Sequence, residues 1–67
     1  GLTPQEYILS LRLTEAKRML EQTGLPLASI SEKCGFGSPN NFRRAFNNRI
    51  GISPSLYRQK FRHDTNG

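Results

Sequence analysis

The sequence predicts an all-α fold of about four helices, and three observations carry that reading. Threonine or serine precedes proline three times, at Thr3-Pro4, Ser38-Pro39 and Ser53-Pro54. Each pair joins an N-cap side chain to a first helical position whose missing N–H costs nothing. Gly24, Gly35 and Gly51 stand where the apolar-periodic segments end and a chain can leave a helix. No segment alternates with the period of two that a half-buried strand requires.

The first helix is predicted over residues 4 to 22. Thr3 and Glu6 have the spacing of a capping box, and Thr23-Gly24 supplies a glycine able to take the left-handed C-cap conformation before Pro26. Leu9, Leu13, Ala16 and Leu20 form its inner stripe, flanked by Ile8 and Met19. A short second helix fits residues 27 to 34, with Leu27, Ile30 and Cys34 on one face and Ser31 small enough for a neighbour to approach. The turn Gly35-Phe36-Gly37-Ser38 leads into a third helix, 39 to 50, whose Phe42, Ala45, Phe46 and Ile50 point inward. A fourth helix, 54 to 62, is expected to bury Leu56, Tyr57 and Phe61, and residues 63 to 67 read as a frayed polar tail. Two short helices joined by a glycine-containing turn make a helix-turn-helix or a plain αα-hairpin; spacing leaves both open.

At 67 residues the chain is at most one small domain, able to bury only about 60% of its unfolded surface. It has no apolar run near the ~20 residues of a membrane span and no secretion signal, so a soluble, cytoplasmic protein is expected. The single Cys34 excludes an internal disulfide, and neither it nor His63 has companions at metal-ligand spacing. No metal or cofactor is expected. Nor does any nucleophile have an adjacent base, which argues against an enzyme. Residues 1 to 35 carry equal numbers of cations and carboxylates, so the whole net charge of +5 lies in residues 36 to 67. A basic half is the footprint of a polyanion-binding surface.

Opposite Phe42 and Phe46, the third helix displays Asn40, Arg44 and Asn47, flanked by Asn41, Arg43 and Asn48. Asparagine is a poor helix former, so a merely solvated face would not favour it. Asn pairs bidentately with adenine and Arg with guanine, and the first turns of a recognition helix are where such contacts are made. Arg58, Lys60 and Arg62 of the fourth helix are better placed for phosphate, because that helix packs behind the third. Arg49, beside the apolar stripe, is expected to snorkel.

Residues 12 to 58 resemble the C-terminal half of the DNA-binding domain of AraC/XylS-type bacterial transcription regulators. The matching residues are Arg12-Leu13, Ala16, Leu20, Ile30, Gly35-Phe36, Ser38, Phe42, Arg44, Phe46, Gly51, Ser53-Pro54 and Tyr57-Arg58. The resemblance implies an all-α, homeodomain-like helix-turn-helix, two such units in the whole domain, and a long helix bridging them. Residues 1 to 24 would be the bridge with its C-cap, and residues 25 to 62 the second unit with its closing helix. It further implies double-stranded DNA as partner, with Pro39, Asn40, Arg43 and Arg44 facing bases and Asn41 and the start of the second helix near phosphates. Together with the faces read above, the expected base contacts are Pro39, Asn40, Arg43, Arg44 and Asn47, and the expected backbone contacts Ser29, Ser38, Asn41, Arg58, Lys60 and Arg62. RNA polymerase and an N-terminal effector or dimerisation domain are further partners of such regulators. Ser31, Asn41, Arg43 and Asn47 depart from the residues usual in the family, which leaves the target sequence open. "CGFGSPNNFRRAF" is similar to the subgroup whose N-terminal domain resembles the DJ-1/PfpI amidotransferase-like fold.

"GLTPQEYILSLR" and "GISPSLYRQKFR" align at an offset of fifty, with Gly1/Gly51, Pro4/Pro54, Tyr7/Tyr57 and Arg12/Arg62 identical. Tyr57 and Phe61 would close the unit that precedes them. Tyr7 and Leu11, on the far side of the first helix from its inner stripe, would by the same geometry close an upstream unit and stand exposed here. Two alternatives remain at this point: a protein-interaction module reading little DNA, and a module fused to an enzyme, as in methyl-transferring DNA-repair regulators.

Overall fold

Helix α1, Pro4–Gln22, begins at the expected capping box. The Thr3 side chain accepts from the Glu6 N–H, and the Glu6 carboxylate accepts from the Thr3 N–H, both at 3.1 Å. The computed structural model describes residues 2 to 61. Within that span α1 is followed by α2, Leu27–Lys33, α3, Pro39–Ile50, and α4, Pro54–Phe61, with no strand among the described residues. The expected tail, the last position of the fourth helix and the Gly1 end of the repeat lie outside the described residues.

α1 ends differently from its sequence expectation. Thr23, extended at φ −130° and ψ 164°, is the C-cap, and among the described residues positive φ is confined to Gly35, Gly37 and Gly51. Gly24 is therefore not a left-handed cap. Thr23 instead donates to the Met19 carbonyl twice, from its N–H at 3.0 Å and from its hydroxyl at 2.6 Å. α2 is one residue shorter than expected, with Cys34 as its C-cap. Gly35 then adopts φ +87°, and a Cβ there would stand 3.1 Å from the Arg12 Nε. The helix-turn-helix corner thus combines a left-handed turn with a close approach of α1. Gly51, at φ +98°, ends α3 as expected.

One core joins all four helices. Leu13, Ala16 and Leu20 from α1 meet Ile30 and Cys34 from the second helix region, Phe36 from the turn, and Phe42 and Phe46 from α3. The aromatic side chains form a chain: Phe36 tilts on Phe42 at 5.1 Å, Phe42 meets Phe46 edge-on at 5.7 Å, and Phe46 meets Tyr57 edge-on at 5.4 Å. Such pairs add about 0.5–1.5 kcal/mol each beyond the area buried. Ser31 is buried and donates its hydroxyl to the Ala28 carbonyl at 2.9 Å, so its burial leaves no orphaned group. Three apolar side chains fall outside the core the spacing assigned them. Ile8, Leu56 and Phe61 are exposed; of the fourth-helix trio only Tyr57 packs against the core, whereas Leu56, between it and buried Pro54, is turned away and Phe61 covers only the outer side of the Tyr57 ring at 4.6 Å.

Candidate nucleic-acid interface

The third helix is held rigidly at the end that would meet a ligand. The Ser38 hydroxyl accepts from the Asn41 N–H at 3.2 Å, and Pro39 occupies the first helical position. Asn41 also reaches back, its Nδ2 donating to the Phe36 carbonyl at 2.9 Å. With Phe42 and Phe46 buried beneath, α3 cannot rotate without breaking both the cap and the core.

That anchoring turns one polar face outward. Pro39, Asn40, Arg43, Arg44 and Asn47 are all exposed on it. Arg18 pairs with Glu15 on α1, far along the chain, and no described carboxylate pairs with Arg43, Arg44 or Arg49. Between α1 and α3 lies an open cleft of about 280 Å³ lined by Leu9, Asn41, Arg44, Ala45, Asn48 and Arg49. Arg44 stands at the border of the outward face and this cleft. Arg49 is exposed at the same rim, where it lines the cleft together with Leu9 and Ala45.

The residues expected at phosphate separate into distinct roles. Ser38 caps α3, and Asn41 ties the preceding turn. Ser29 is half-buried on α2, and Lys60 is exposed on α4. Arg62 lies outside the described residues. Arg58 departs from its expectation: its guanidinium is turned inward and donates to the carbonyls of Leu20, Thr23 and Leu25 at 3.2, 3.0 and 2.7 Å. Charge, with the expected packing of α4 behind α3, points to phosphate for Arg58. The missing signal was that the last turn of α1 carries no basic residue of its own.

The titratable groups away from α3 are structural. Burial, helped by Glu15, pushes the Cys34 thiol up. Tyr57 is pushed up to about 12 by burial first and by the hydrogen bond it donates to Glu21 second. Exposed Glu15 is held below the usual carboxylate range by the hydrogen bond from Arg18. Among the described residues no group of three or more His, Cys, Asp or Glu could hold a metal ion, and no helix is long and apolar enough to cross a membrane.

Comparison with known proteins places this geometry. The family described as "Helix-turn-helix domain" matches residues 1–60. The "HTH-type transcriptional regulator Rv1931c" of Mycobacterium tuberculosis is 41% identical over 61 residues, covering 91% of this chain and 24% of that protein. The "Uncharacterized HTH-type transcriptional regulator YobQ" of Bacillus subtilis is 44% identical over 64 residues, covering 96% and 27%. The "HTH-type transcriptional activator RhaS" of an Enterobacter strain is 41% identical over 59 residues, covering 88% and 21%. The chain thus spans about a quarter of the length of these relatives. Among solved structures, the DNA-binding domain of AdpA, "the global transcriptional factor, in complex with a target DNA", is similar at a TM-score of 0.87 and 31% identity, over 91% of this chain and 55% of that one.

Proposed function

The chain belongs to the AraC/XylS-type family of helix-turn-helix transcriptional regulators, and from that premise we propose that it binds double-stranded DNA sequence-specifically through α3. The observation that carries the proposal is the outward face of that helix. Two arginines and two asparagines stand exposed there with no carboxylate among them, on a helix whose other side is locked in the core. A solved relative bound to DNA shares the fold.

In this reading α3 enters the major groove. Asn40, Arg43, Arg44 and Asn47 read base edges, and Pro39 packs against them from the first turn. Ser29, Ser38, Asn41 and Lys60 meet the sugar-phosphate backbone. Ser38 can accept from the Asn41 N–H and still donate its own proton to a phosphate oxygen. Asn41 keeps its carbonyl and one amide hydrogen for water-bridged contact. Arg58 is assigned to the scaffold.

The parent protein is a non-enzymatic cytoplasmic regulator whose N-terminal domain senses an effector or dimerises, and which contacts RNA polymerase when activating. α1 serves as a bridge: Tyr7 and Leu11 are 57% and 53% exposed on it, an apolar face suited to a further helix-turn-helix unit.

The test is DNA affinity measured across salt concentration. Several phosphate contacts give a steep linear fall of log K with log salt, about 0.9 per contact. A flat response would contradict the proposal and favour a protein partner.

A further inference from the structure

The C-terminal end of α1 is left with carbonyls to satisfy, as every helix end is. Its own sequence supplies little: the last turn has no cation and contains Glu21, which the negative end of the helix dipole disfavours. Thr23 takes care of the Met19 carbonyl only. Two further carbonyls there, those of Leu20 and Thr23, are met from α4. The Arg58 Nε donates to Leu20, in the last turn, while its two terminal nitrogens donate to Thr23 and Leu25 in the segment leading to α2. The preceding residue, Tyr57, donates its hydroxyl to Glu21. Two consecutive residues of the closing helix therefore handle both problems of the α1 terminus.

We propose that Arg58 is a positioning residue: a helix C-cap supplied from α4, which fixes the direction in which α1 leaves the helix-turn-helix unit relative to α3. The guanidinium suits this because its donors are held in a rigid plane and can span three carbonyls at once, whereas a lysine ammonium is a point donor. Tyr57 couples the cap to the recognition helix, since its ring packs edge-on against Phe46 of α3. The path from the outward face to the α1 terminus is then Phe46, Tyr57, Arg58. Whatever α1 carries is aimed by this path. The inference rests on the DNA-binding reading only in giving that aim a purpose.

The experiment uses the 67-residue chain, Arg58→Met and Arg58→Lys. Residual dipolar couplings give the angle between α1 and α3, and DNA titrations across salt give the slope. Arg58→Met should rotate α1 relative to α3 beyond the uncertainty of the parent measurement and leave the salt slope unchanged. Arg58→Lys should rotate it less. An unchanged angle with a lowered melting temperature would mean a merely structural role and overturn the proposal. A salt slope reduced by about one, the signature of a lost phosphate contact, would overturn it too. Should Arg58→Met fail to fold, the unaltered chain still decides. A scalar coupling across the hydrogen bond from the Arg58 Nε to the Leu20 carbonyl, undisturbed by DNA, supports the cap; an Arg58 Nε–H signal that exchanges freely and shifts on DNA addition refutes it. A flat salt response of the unaltered chain would sink the DNA reading alone, and the α1–α3 angle would still judge Arg58.

Discussion

The side-chain amide of Asn41 donates to the carbonyl of Phe36 at 2.9 Å, tying the first turn of the recognition helix to the loop before it. The bond spans five residues and closes the corner of the helix-turn-helix from the inside. Replacing Asn41 with alanine leaves that carbonyl without its partner, at a cost of about 1 kcal/mol. Urea unfolding of Asn41→Ala should show a lower midpoint at unchanged slope. A midpoint equal to the parent's would mean that water replaces the amide without loss.

Phe46 is wholly buried and edge-packed between Phe42 and Tyr57. Truncating such a ring costs about 3–5 kcal/mol, whereas a domain of this length holds roughly 3–10 kcal/mol in total. Phe46→Ala should therefore lose cooperative thermal unfolding or melt far below the parent, and Phe46→Leu should keep a clear transition. Circular dichroism melts check this; an alanine variant melting within a few degrees of the parent would place the core elsewhere.

Stability should also fall in alkali through Tyr57. Its folded hydroxyl is raised to about 12, chiefly by burial and then by its bond to Glu21, against about 10 in an unfolded chain. A folded value above the unfolded one means that the unfolded state loses its proton first as pH rises. The stabilisation is complete below about pH 10 and drains away between about 10 and 12. In Tyr57→Phe that part of the pH dependence should vanish from denaturation curves taken across this window. A variant as alkali-sensitive as the parent would assign the effect to another group.

The sequence made most of the scaffold legible because its signals are local. Thr3 with Glu6, Ser38 with Pro39, and Gly51 act within a few residues of where they stand, and each fell where expected. The errors arose where distant residues decide. Gly24 was expected to end α1 in the left-handed region; the helix instead ends on an extended Thr23, with Arg58 bonding to the carbonyls of Leu20 and Thr23 from more than thirty residues away. No window on α1 contains that arginine. The same bonds explain why Arg58 looked like a phosphate contact: its charge is visible in the sequence, but its direction depends on how α4 docks. Leu56 and Phe61 are apolar and yet exposed, since apolar type marks a candidate for the core and only the docking of α4 decides that Pro54 and Tyr57 are the residues turned to it. On α3, by contrast, the inward and outward faces follow directly from Phe42 and Phe46, so the candidate site was legible as a surface. The bases it reads were not, because that choice depends on DNA.

Arg44 stands exposed at the border between the outward face of α3 and the α1–α3 cleft, with no described carboxylate to neutralise it. The most direct test of the account compares the chain with Arg44→Ala on a site selected from random DNA and on unselected DNA, at matched salt. Loss of a base-reading arginine should weaken the selected site by about 1–3 kcal/mol and relax the choice at one base position, with far less effect on unselected DNA. Equal weakening on both would make Arg44 a phosphate contact and contradict the claim that this face reads sequence.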